Sequence, residues 1–231
     1  MRLEKAESLA VAVTEAIQSG DTHTLSVLLA DHTSLATAVI VDERGNGRTL
    51  LHIASDFPGH LPQRSETVTL LTAAGAPVDG QFQGFHSETA LHWAASNDDV
   101  QLAGTLLDLG ANIEAGGGVI GNGTPLADAV AFGQWKAARL LVDRGASVTL
   151  WQAAALGLID EVRSVQDASP DEITNAFWCA CHGGQRETAE YLLGRGAMLN
   201  WVGHDGLTPV RAAERSGADE LAAWLRTQGA I

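Results

Sequence analysis

Cysteine is nearly absent from this chain: only Cys179 and Cys181 occur among 231 residues. Two residues apart on a helix, they point to different sides and cannot easily bridge. A disulfide framework is therefore excluded, and a reducing, cytoplasmic setting is expected. Closed zinc sites take four ligands, so the run Cys179-Ala180-Cys181-His182 falls short of one. Both cysteines read as small buried residues, and no metal or cofactor is expected. A Cys179–His182 nucleophilic pair has i,i+3 spacing but lacks a third group to orient it. Positive charge is also scarce, with 14 Lys and Arg against 28 Asp and Glu, a net charge of −14. That disfavours nucleic acid and anionic membranes as ligands and is compatible with a basic protein partner. Its simpler consequence is solubility. Long apolar runs are missing as well, and none approaches the length of a membrane span. Glu4, Glu7 and Glu15 interrupt residues 1–20, and Leu9–Val13 is too short for the apolar core of a secretory signal. The sequon Asn122-Gly123-Thr124 is discounted accordingly.

What the chain does have is a repeated phrase. Thr49–Ala54 reads T-L-L-H-I-A, Thr89–Ala94 reads T-A-L-H-W-A, Thr124–Ala129 reads T-P-L-A-D-A and Thr208–Ala213 reads T-P-V-R-A-A. Each threonine stands where a helix should start and can accept an orphan backbone N–H. Pro125 and Pro209 follow at the first helical position, where a missing N–H costs nothing. Leu51, Leu91, Leu126 and Val210 are core candidates, and Ala54, Ala94, Ala95, Ala129, Ala212 and Ala213 permit close helix approach. A second helix follows each phrase, carrying Leu70-Leu71, Leu106-Leu107, Leu140-Leu141, Leu192-Leu193 or Trp224-Leu225. Gly75, Gly110, Gly145, Gly196 and Gly229 suit a left-handed stop for these helices. Leu150–Val162 and Ala176–Ala197 read as degenerate helix pairs, and Ala12–Leu29 as another turning at Gly20.

The phrase resembles the ankyrin repeat, T-P-L-H-x-A at a period of about 33 residues. The resemblance implies an all-α solenoid of stacked helix pairs with hairpin finger loops, about seven units in one domain over 1–231. Residues 1–43 would form an N-terminal capping unit, 44–207 the central repeats and 208–231 a C-terminal capping repeat. Glu214 replaces a small alanine there, as suits a solubilising end. It further implies a monomeric, non-catalytic protein–protein interaction module, an adaptor or scaffold. Such proteins bind through the finger loops and the concave inner-helix face. Here those surfaces correspond to Phe82, Phe85, His86, Trp93, Asn97, Asp98, Val119, Ile120, Phe132, His182, Trp201, His204 and Asp205. Arg48, Ser55, Glu88, Ser96 and Asn122 accompany them. An acidic inhibitor or immunity-type protein blocking a basic partner is the first alternative. A small-molecule or enzymatic role in the concave groove is the second. His52 and His92 match the family histidine that ties neighbouring repeats by hydrogen bonds.

Departures from the phrase mark the candidate contacts. An insertion, D-F-P-G-H-L-P-Q-R-S-E, separates Ser55 from Thr67, and Pro58 and Pro62 forbid simple helix continuation. Gly80–Glu88 is expected to expose Phe82, Phe85 and His86 on a finger, Ala115–Gly123 to carry Val119 and Ile120 at its tip, and Asn200–Leu207 to expose Trp201, His204 and Asp205. The glycines of the second finger do not make a phosphate cradle, because no lysine follows and Pro125 removes a donor. Trp135 and Trp224 read as structural. Trp151 and Trp178 are assigned the histidine register, where they could stack. Trp93 and Trp201 are the better contact candidates. Asp56, Asp98, Asp99 and Asp128 are placed near the concave face, as helix-end acids in solvent.

Overall fold

The computed structural model describes residues 1–231. They form two compact units, Met1–Ala146 and Ser147–Ile231. The first contains four successive helix pairs: α1 (Ser8–Ser19) with α2 (Thr22–Asp31), α3 (Leu50–Ala54) with α4 (Arg64–Ala73), α5 (Ala90–Ser96) with α6 (Val100–Asp108), and α7 (Pro125–Ala131) with α8 (Trp135–Asp143). The second contains three: α9 (Leu150–Leu156) with α10 (Ile159–Ser164), α11 (Pro170–His182) with α12 (Arg186–Gly194), and α13 (Pro209–Arg215) with α14 (Asp219–Thr227).

The all-α expectation needs one correction. Strands β1 (Arg2–Glu4), β2 (Val39–Val41) and β3 (Gly47–Thr49) form a small sheet, β1 parallel to β2 and β2 antiparallel to β3. Strands of three residues are too short to show a period-two pattern. The parallel pair also joins segments far apart in sequence, with Leu3 opposite Ile40.

The helix starts and stops follow local chemistry. Thr49 Oγ1 accepts the N–H of His52, and Pro125 and Pro209 occupy first-turn positions. The glycines that close the outer helices all have positive φ, from Gly110 at 91° to Gly75 at 100°. Helix α11 starts earlier than expected, at Pro170. Ser169 and Glu172 cap each other there: the Ser169 N–H donates to Glu172 Oε2 at 2.8 Å, and the Glu172 N–H to Ser169 Oγ at 3.3 Å.

The core is built as the phrase implies. Leu51, Leu91, Leu126 and Val210 are buried, as are Ala54, Ala94, Ala95, Ala129, Ala212 and Ala213. Of each outer-helix pair one residue is fully buried (Leu71, Leu106, Leu141, Leu192, Leu225) and its neighbour only partly. Small residues let inner helices approach closely. A Cβ on Gly183 would sit 1.8 Å from the Ala155 carbonyl oxygen, so α9 and the end of α11 meet at a distance only glycine allows.

Candidate functional site

In the first unit the inner helices α3 and α5 are each tied to the segment that precedes the next one. His52 Nδ1 lies 2.8 Å from Thr49 Oγ1, and its Nε2 lies 3.0 Å from the Glu88 carbonyl oxygen. His92 Nδ1 accepts the Thr89 N–H at 3.1 Å, and its Nε2 lies 3.2 Å from the Gly123 carbonyl oxygen. A carbonyl only accepts, so Nε2 carries the proton in both. Burial lowers both imidazoles below the usual histidine range, His52 to about 4, so they are held neutral. Glu88 and Gly123 are the residues just before Thr89 and Thr124. The histidine expectation therefore holds at both positions.

The second unit places other side chains in the histidine register. Gln152, three residues after Thr149, accepts the Thr149 N–H through Oε1 at 2.8 Å. Gln152, not Trp151, thus holds the histidine register, and the expectation for Trp151 was one residue off. Trp178 donates its indole N–H to the Leu207 carbonyl at 2.8 Å, just before Thr208. Its ring packs against His182 and His204 rather than in the expected stack with Trp151.

These ties hold finger loops side by side. Gly47 and Gln83 exchange two backbone hydrogen bonds, at 2.7 and 2.8 Å. The Phe82 N–H donates to the Glu88 carbonyl at 2.8 Å, closing the 82–88 loop, and the Ser87 N–H reaches the Gly117 carbonyl at 3.2 Å. Three successive loops, around residues 42–47, 80–88 and 115–123, are thereby stitched into one edge. Phe85 stands out from it with 86% of its surface exposed. Its ring meets His86 and Phe82 edge-on, at 4.5 and 6.2 Å.

Phe82 itself corrects the sequence reading. It is buried, stacked on His86 at 4.3 Å and close to His52 and Trp93. Nothing in the local sequence distinguishes it from Phe85. The backbone pairing of Gln83 with Gly47 decides which ring turns inward. His86 is only partly exposed and faces Glu88 Oε2 at 3.2 Å. Trp93 is half-buried and donates its indole N–H to the same oxygen at 2.7 Å. The structure therefore brings Phe82, Phe85, His86 and Trp93 into one cluster. Val119 is 42% exposed, and its N–H bonds Glu88 Oε1. Ile120 is half-buried beside it.

Other predicted contacts are occupied with structural work. Asn97 donates its side-chain N–H to the Ser55 carbonyl at 2.9 Å, and Asp98 accepts the Ala137 N–H at 2.8 Å. Phe132 is exposed at the end of α7. In the second unit His182 is buried, against expectation, its ring stacked on Trp178. Trp201 is half-buried and edge-on to His204, whose Nε2 meets Asn175 Oδ1 at 2.8 Å. Asp205 pairs with Arg215 at 2.6 Å, which holds its carboxyl below the usual range.

Two of the four acids placed at the concave face are not solvated. Asp99 is fully buried: it caps α6, accepts the His60 N–H and pairs with Arg64 at 2.7 Å. The insertion is thereby pinned to the following repeat, while its Phe57 remains 84% exposed. Asp128 is fully buried beside the equally unexpected Glu88. No local pattern signals this pair, because its members sit in different helix pairs, 40 residues apart.

The cysteines are free and buried, and burial pushes both thiols up, Cys179 to about 12. No group of three or more His, Cys, Asp or Glu side chains is placed to hold a metal ion. No helix is long and apolar enough to cross a membrane.

Residues 63–150 match a family model described as ankyrin repeats, in three copies. The chain is also similar to the ankyrin repeat and KH domain-containing protein mask-1 of Caenorhabditis elegans, 29% identical over 180 residues. That match covers 78% of this chain but only 6% of the relative, so the chain spans a small fraction of that protein's length. Residues 63–150 are thus ankyrin repeats, and the threonine-started helix pairs and the His52 tie elsewhere in the chain are similar to them.

Proposed function

We propose that this chain is a non-catalytic protein-binding module, an adaptor or scaffold, whose contact surface is the stitched edge of finger loops in the first unit. Ankyrin repeats generally mediate protein–protein interaction. The observation that carries the assignment is Phe85: a large apolar ring, 86% exposed, on a loop bonded to both neighbouring loops. Exposed aromatics on a rigid frame are the residues that contribute most to binding, because little ordering entropy is lost when they dock. His86 and Phe82 pack against it, Trp93 and Val119 join the same cluster through Phe82 and Glu88, and Phe132 and Phe57 are further apolar anchors. Trp201, His204 and Asp205 are proposed as a second contact group in the other unit. All seven helix pairs are read as variants of the repeat, with 1–43 and 208–231 as caps. Glu214 supports the C-terminal assignment, since it pairs with Arg211 and Arg226 on the last two helices.

The net charge of −14 favours the inhibitor of a basic partner as a second reading. Affinity capture at low and high salt, with wild type and a Phe85→Ser/Val119→Ser variant, separates the two. The adaptor reading expects a protein retained in high salt and lost with the variant. A partner lost in salt and kept by the variant supports the inhibitor. Identical capture by both proteins at both salt levels would contradict the assigned surface.

A further inference from the structure

Glu88 and Asp128 form a buried pair of carboxyl groups with an unusual division of labour. Glu88 accepts two N–H groups, from Val119 at 3.0 Å and from the Trp93 indole at 2.7 Å. Asp128 accepts one long bond at Oδ1, from the Ile120 N–H at 3.4 Å. Its Oδ2 is buried, and no N–H or O–H of the protein reaches it. Glu88 and Asp128 accept the amides of consecutive residues, Val119 and Ile120, which brings their carboxyl groups side by side. Gly118 closes the site from above, since a Cβ there would stand 2.9 Å from both Asp128 oxygens. Two carboxylates at this separation in a dry site cannot both be ionised, because each destabilises the other's charge. One proton between them satisfies the orphan oxygen and removes the repulsion together.

We propose that Glu88 and Asp128 share a proton that latches the 115–123 finger to the 80–88 finger, so that loss of this proton releases the Val119–Ile120 tip. The latch joins the backbone of the 115–123 finger to Glu88 at the base of the 80–88 finger and to Asp128 on α7. Removing the proton leaves two negative charges facing each other behind the Val119 and Ile120 amides. The surroundings add little compensating charge. His52 on α3 and His92 on α5 are neutral through burial, and Arg48 on β3 is paired with Asp56. His86 faces Glu88 Oε2 at 3.2 Å. Helix α8 turns Ala137, Ala138 and Leu141 inward and keeps Lys136, Arg139 and Asp143 in solvent. On α6, Asp99 is committed to Arg64 and Asp108 to Arg144. Burial, reinforced by the Glu88 charge, raises the Asp128 carboxyl well above its ordinary range, to about 8. The latch is therefore closed in acid and opens as pH rises through mild alkalinity.

The test needs no partner, so it stands apart from the proposed binding function. In wild-type protein labelled with ¹⁵N and ¹³C, the Trp93 indole N–H and the Val119 and Ile120 amides are followed from about pH 6 to pH 10. The expected result is a joint shift of all three with one midpoint, tracking the Asp128 carboxyl carbon. Asp128→Asn should remove that shift and hold the three signals at their low-pH positions, because an amide donates where the proton did. If this variant does not fold, the wild-type carboxyl carbon still decides. Titration of Asp128 near pH 4, as for an ordinary carboxylate, would overturn the proposal. So would three signals that stay constant across the range. Calcium chloride added at neutral pH must leave the signals in place; a saturable calcium shift would make the pair a cation site instead.

Discussion

The inner helices of the two units reach the same kind of acceptor with different donors. In the first unit, His52 and His92 donate to the carbonyls of Glu88 and Gly123. In the second, the Trp178 indole donates to the carbonyl of Leu207. All three carbonyls belong to the residue before a helix-starting threonine. At these three positions the tie is a flat ring with one N–H projecting from an inner helix, while Gln152 fills the same register with an amide that caps Thr149. The chemical identity of that ring is free. The exchange has a consequence, because an imidazole can gain a proton and an indole cannot.

The largest expected effect comes from removing the indole altogether. Trp178→Ala should destabilise the second unit by about 3–5 kcal/mol in urea unfolding, since a buried aromatic is lost with its hydrogen bond. Trp178→Phe should lose only about 0.5–1.5 kcal/mol, the net worth of the indole hydrogen bond, because the Leu207 carbonyl still accepts the Gly203 N–H at 3.0 Å. Equal losses in the two variants would mean that the ring contributes nothing beyond its N–H.

His52→Gln sharpens the comparison through pH. Burial depresses the folded imidazole to about 4 from an ordinary value near 6.5. The neutral ring thus contributes stability that is present above the ordinary value and is lost as pH falls through the folded one. The advantage of wild type over His52→Gln should shrink between about pH 7 and pH 4, by on the order of 3 kcal/mol at most. The advantage of wild type over Trp178→Phe should stay flat over the same range. A parallel decline in both would remove the chemical distinction between the ties. Asp128 acts with the opposite sign. Its raised folded pKa favours the native state in acid, and that stabilisation is lost as pH rises through about 8. The differences between variants, rather than raw stabilities, are therefore the quantities to compare.

The smallest effect is expected at the finger tip. Phe85→Ala should change stability by less than about 0.5 kcal/mol, because the ring is almost wholly in solvent. A loss above about 1.5 kcal/mol would show that the ring supports the fold and is not held out for a partner.

Much of this comparison was legible in the sequence, and the rest was not for identifiable reasons. Thr49, Pro125, Gly75 and Leu126 act within one or two helical turns, so a local pattern discloses their roles. The Ser169–Glu172 cap is equally local, with its serine and glutamate three residues apart in S-P-D-E. The β1–β2 pairing, the inward turn of Phe82 and the Glu88–Asp128 pair depend on contacts between segments about 35–40 residues apart, one repeat period or slightly more. Phe82 and Phe85 have the same chemistry and neighbouring positions; the pairing of Gln83 with Gly47 separates them. Asp128 sits in the middle of the most recognisable phrase, where a polar residue reads as solvent-facing until its partner on another repeat is seen.

The account rests on the finger loops being one preformed surface rather than three independent loops. Native-state amide hydrogen exchange at Gly47, Gln83, Ser87 and Val119 tests this directly. Each of these N–H groups bonds an acceptor on a neighbouring loop, so all four should be protected well beyond the loop tip at Phe85. Exchange of these four amides at the rate of an unstructured chain would show that the loops move separately, and the preorganised surface would not exist.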